Sequence, residues 1–77
     1  MYKDFLTVED VGIILGYKKS AARKAIADLN DELQEEGYRV VRGKINKKYF
    51  AKRYFLSEID IDKTISEVFS NGLQANA

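Results

Sequence analysis

Apolar residues recur at intervals of three and four along several stretches of this chain, and glycines or capping residues stand where each stretch begins or stops. Val8, Val11, Ile14 and Leu15 form the first stripe. Thr7 precedes it with Asp10 three residues on, which predicts a capped helix from Val8 to Leu15 whose positive end is complemented by Glu9 and Asp10. Gly16 supplies the left-handed conformation that ends a helix at low cost. Ala22, Ala25, Ile26, Leu29 and Leu33 form the second stripe and predict a helix from Lys19 to Glu35, stopped by Gly37. Its small alanines let another helix approach closely, as two helices joined by a short turn require.

Downstream the pattern changes. Tyr38 to Val41 is β-branched and aromatic, and Arg42-Gly43-Lys44 and Ile45 follow, which predicts a short β-hairpin with its tip at Gly43. Asn46 then caps a third helix, from Lys47 to about Phe55, with Tyr49, Phe50 and Tyr54 inward and Lys47, Lys48, Lys52 and Arg53 outside. Ile61, Ile65, Val68 and Phe69 predict a fourth helix, capped by Asp60 or Asp62 and stopped at Asn71-Gly72, with Leu73 to Ala77 expected to be disordered. This last stripe either covers the core beside Phe5 and Phe55 or meets a partner. A helix so short hardly forms alone in water.

Composition narrows the chemistry. At 77 residues the chain supports one small domain, and with neither cysteine nor histidine it offers no disulfide framework and lacks the usual zinc ligands. No cofactor or metal is expected. No apolar run approaches a bilayer span, and Met1 to Phe5 carries charge where a signal peptide needs an apolar stretch, so a cytoplasmic protein without a membrane partner is expected. Paired carboxylates such as Glu35-Glu36 have no basic catalytic partner or glycine-rich phosphate loop nearby, so neither an enzyme nor a small-molecule substrate is expected.

Charge is sorted along the chain although the total is only +1. Residues 1–17 sum to −2, residues 18–53 to +6 and residues 54–77 to −3. Between Gly37 and Arg53 stand seven cations and no acid: Arg39, Arg42, Lys44, Lys47, Lys48, Lys52 and Arg53. A basic hairpin behind two turn-linked helices suits a polyanion, because each Lys or Arg near a phosphate releases condensed counterions. On the second helix Lys19, Ser20, Arg23, Lys24 and Ala27 face away from the core near the N-terminus, the end that helix-turn-helix proteins push into the major groove. The acids Asp28, Asp31, Glu32, Glu35 and Glu36 crowd its other end, either repelling phosphate or forming a solvated face.

These readings give a mainly α fold with a small β-hairpin, a winged helix-turn-helix in a single domain with a C-terminal helix. Residues 1–57 form the DNA-binding domain, 58–72 the helix that packs on the domain or a partner, and 73–77 the tail. The DNA-binding candidates are Lys18, Lys19, Ser20, Arg23, Lys24, Arg39, Arg42, Lys44, Lys47 and Lys48.

The run Leu6-Thr7-Val8-Glu9-Asp10-Val11, then Ile14-Leu15-Gly16, then Ala22, Ile26 and Leu29, resembles the start of the small MerR-like winged-helix proteins that include phage and integrative-element excisionases. Gly37-Tyr38, Val40, the Gly43 tip and Lys48-Tyr49-Phe50 resemble the short wing and following helix of such proteins, so the likeness covers Leu6 to Phe55, about two thirds of the chain. It implies binding to double-stranded DNA at recombination or operator sites, and partnership with an integrase or with further copies on DNA. Lys18 stands where that pattern has a capping Ser or Thr. A cap moved to Ser20 places Lys18 and Lys19 before the helix, on phosphate, and leaves Ser20, Arg23 and Lys24 for base edges. Three functions fit these contacts: an excisionase, a small transcriptional repressor, or a winged helix acting through protein contacts as an anti-repressor.

Overall fold

The computed structural model describes residues 4–75, with side chains described through residue 68. In chain order the elements are β1 (Phe5–Thr7), α1 (Val8–Leu15), α2 (Lys19–Glu35), β2 (Lys44–Asn46), α3 (Lys47–Arg53) and α4 (Glu58–Ala75). The chain is mainly helical with one two-stranded antiparallel β element, the architecture of a small winged helix.

Both helices of the helix-turn-helix form where the sequence pattern puts them. Asp10 N–H donates to Thr7 Oγ1 at 3.2 Å while the Asp10 carboxylate accepts from Thr7 N–H at 3.0 Å, a reciprocal capping box. Gly16 sits at φ 68°, where any other residue would bear strain, and its N–H bonds the Gly12 carbonyl. Tyr17 N–H bonds the same carbonyl at 3.0 Å, and a Cβ on Gly12 would come within 3.1 Å of the Tyr17 oxygen, so the turn folds back tightly on α1. The α2 stripe of Ala22, Ala25, Ile26, Leu29 and Leu33 is buried and joins Leu6, Val11, Ile45, Phe50, Ala51, Ile61 and Ile65 in one core.

Strand pairing departs from the sequence expectation. Tyr38–Val41 is not a strand; β2 instead pairs with β1, in the register Phe5↔Asn46, Leu6↔Ile45 and Thr7↔Lys44. The pairing buries Leu6 and Ile45 completely, and a local hairpin would have left Leu6 without that neighbour. Residues 37–43 therefore form a loop that turns at Gly43, φ 79°.

Caps and faces farther on differ in part. Asn46 caps α3 as expected, its side chain accepting from Tyr49 N–H at 3.0 Å, and Phe50 is buried with its ring 4.7 Å from that of Tyr54. α4 is capped by Ser57, whose Oγ accepts from Asp60 N–H at 3.0 Å, and not by Asp60 or Asp62. Ile61 and Ile65 enter the core, so α4 lies against α1 and α3, while Val68 is exposed. α4 continues through Asn71-Gly72 to Ala75. The expected inward face of Phe69 lies outside the described side chains, and the tail expected to be disordered runs into 76–77, outside the described residues. Neither Phe5 nor Phe55 is core: Phe5 is 39% exposed, and Phe55 stands at φ 55° with 97% of its surface in solvent.

Candidate nucleic-acid interface

The first turns of α2 combine three features that are unfavourable for a helix alone. Lys18 occupies the N-cap and makes no side-chain cap bond, and the first turn holds no acid. Lys18 and Lys19 instead put positive charge at the positive end of the dipole, at a cost of a few tenths of a kcal/mol each when exposed. Ser20 lies inside the helix and is not its cap, so Lys19 is the first helical residue and does not precede the helix. Amide donors of the first turn, two ammonium groups and the exposed Ser20 hydroxyl therefore converge on one end.

One turn on, Arg23 is exposed and Lys24 reaches Asp28 at 3.3 Å. Both partners stay in water, so this pair holds Lys24 weakly. Arg23 lines a cleft of about 740 Å³ together with Ala27 on α2 and Arg42 and Gly43 on the loop. The fold thus brings the outer face of α2 and the loop tip to one groove, whose lining includes the acid Asp31. Lys44 opens β2, exposed, one residue beyond that tip.

A buried polar side chain fixes the loop against the helix. Asn30 Nδ2 donates to the Lys44 carbonyl at 3.0 Å and the Val41 carbonyl at 3.3 Å, closing both sides of the Arg42-Gly43 turn. Sequence reasoning missed this residue. Its signal was present: Asn30 is a polar residue one place after Leu29 and four after Ile26, on the stripe that faces inward.

Arg39 and Lys48 belong to a second groove, about 330 Å³, with Lys52, Tyr38 and Phe5. It shares Asn30 and Val40 with the first, so the loop borders both.

Two cations expected outside are tied up by acids. Lys47 is 6% exposed and its Nζ lies 2.9 and 3.1 Å from the two Asp62 oxygens, joining α3 to α4. Its outward placement was wrong because α4 packs against α3 and brings Asp62, 15 residues on, to the Lys47 ammonium. Arg53 donates to Glu32 through Nε at 2.8 Å and a second nitrogen at 3.4 Å, while Tyr49 Oη donates to the same carboxylate at 2.7 Å. The Arg53 and Tyr49 hydrogen bonds hold the Glu32 carboxyl below the usual carboxylate range, and the carboxylate in turn pushes the Tyr49 hydroxyl upward. Glu32 thereby ties α2 to α3.

Among known proteins, the ICEBs1 excisionase of Bacillus subtilis (strain 168) is similar to this chain, 39% identical over 54 residues that span 70% of this chain and 84% of that protein. No protein-family model matches the chain, and no solved structure matches it.

Proposed function

The chain belongs to the family of the ICEBs1 excisionase, and from that premise we propose that it is a non-catalytic, double-stranded-DNA-binding protein of a mobile element, acting in the cytoplasm as a recombination directionality factor on attachment-site DNA. The observation that carries this reading is the N-terminus of α2: uncapped, free of acids, and crowned by Lys18, Lys19 and Ser20. Those features cost the free protein stability and become favourable once a phosphate takes the first-turn amides.

In this reading Lys18 and Lys19 grip the backbone and set the register of α2 in the major groove. Ser20, Arg23 and Lys24 then face base edges, and Arg23 has the reach and two parallel donors that suit a guanine. Arg42 and Lys44, held by Asn30, meet phosphates on the flank, with Arg39 and Lys48 extending the contact along the second groove. The acids beyond Asp28 limit entry to the N-terminal turns. Lys47 contributes through Asp62 and not through DNA. An integrase is the partner that a directionality factor serves.

A footprint on the attachment site of the element that carries this gene tests the proposal. Protection of that site over random DNA, with affinity falling steeply as salt rises, is the expected result. Equal, salt-insensitive affinity for both DNAs would sink it.

A further inference from the structure

The turn between α3 and α4 spends conformational energy to hold a phenyl ring in water. Phe55 is the single non-glycine residue with positive φ among the described residues, at 55°, and 97% of its surface is exposed. For a bulky side chain that backbone is strained, with no packing in the free molecule to offset it. Leu56, the next residue in the chain, is itself 39% exposed.

Beside this knob lies an open apolar groove of about 200 Å³, walled by Ile14, Leu15, Tyr54, Leu56, Ile61 and Thr64. Tyr54 and Leu56 flank Phe55 in the chain, so knob and groove share one patch. A cavity of ~150 Å³ lined by aliphatic residues accepts benzene, so the groove has the size of the ring it adjoins. The backbone holds Phe55 out of its own molecule's groove.

We propose that a second copy of this chain occupies the patch, each Phe55 seated in the groove of its partner. A patch that carries both a knob and the hole for it is self-complementary, as a two-fold interface requires. Charge agrees with this occupant: exposed Lys52 stands three residues before the knob, and Asp60 lines the groove. Two phenyl rings bury roughly 300–500 Å². That area by itself is well under the ~1,200 Å² of a lasting interface, so the pair is expected to be weak and to exchange rapidly.

Sedimentation equilibrium of the full chain without DNA, from about 10 µM to 1 mM, tests the pairing apart from any DNA function. The average mass should climb from 8.8 kDa toward twice that value. Phe55→Gly removes the knob and the backbone strain together, so it should melt within a few degrees of the parent yet stay monomeric. Thr64→Arg obstructs the groove while leaving Phe55 in place, and it should be monomeric too. A parent that remains monomeric at the highest concentration, or either variant associating as the parent does, overturns the proposal. A monomeric parent whose Phe55→Gly variant loses DNA bending would assign the ring as a wedge between base pairs and would likewise overturn it.

Discussion

On α2, Lys18, Lys19, Arg23 and Lys24 all stand in solvent, and the pair between Lys24 and Asp28 leaves those side chains 78% and 59% exposed. In the run after Gly37, seven cations of the same two residue types divide. Arg39, Arg42, Lys44, Lys48 and Lys52 are exposed, whereas Lys47 is buried on Asp62 and Arg53 is clamped by Glu32. The acids responsible lie 15 and 21 residues away in the chain. A local excess of positive charge therefore overstates the surface available to phosphate, because a cation can be claimed by an acid that only the fold brings near. On α2 Lys24 does meet Asp28, but both side chains stay in solvent, and the remaining acids of that helix sit toward its other end.

Lys47→Ala should give the largest effect if the two regions differ in this way. Removing one member of a buried pair strands Asp62, at a cost of about 3 kcal/mol, read as a lowered midpoint in urea unfolding. Lys48→Ala, one residue on but exposed, should leave the midpoint within about 0.5 kcal/mol. If the folded fraction of Lys47→Ala binds DNA with a flattened salt dependence, the division of the run is wrong.

Arg23→Ala should weaken binding to the cognate site by about 1–3 kcal/mol and to random DNA much less. Equal losses on both would make Arg23 a phosphate contact. The double change of Arg42 and Lys44 to Ala should weaken binding to all sequences alike and reduce the salt slope by about two units, near 0.9 for each lost contact. Anisotropy titration at several salt concentrations reads this directly, and an unchanged slope removes the loop tip from the interface.

The smallest effect concerns Glu32. Its folded pKa is depressed, mainly by the Arg53 hydrogen bond, so its contribution to stability is complete above the ordinary carboxylate pKa and is lost as pH falls through the folded value. Below neutrality the parent should therefore lose more stability on acidification than Glu32→Gln does. Parallel stability profiles for the two proteins would show that the clamp between α2 and α3 is not electrostatic.

Much of the candidate site was legible from the chain. The capping box at Thr7, the left-handed Gly16 and the alanine-rich stripe place α1 and α2 within the helix-turn-helix, and the stripe leaves Lys19, Ser20, Arg23 and Lys24 outside. The loop was half legible. Its glycine turn was visible at Gly43, but Asn30, which fastens it, acts across 11 and 14 residues and reads in isolation as a polar residue on an apolar stripe.

Caps, turn glycines and helical periodicity work over one to four residues, so the sequence by itself determined α1, α2, the start of α3 and the buried stripe that orients them. Tertiary structure alone decided the rest. Strands of three residues are too short for alternation to specify a partner, so β2 took Phe5–Thr7 because that pairing buries Leu6 against Ile45. Whether a lysine meets solvent or Asp62, and whether an aromatic meets the core or solvent at φ 55°, depends on which distant surfaces close around it. Those surfaces exist only once the helices have packed.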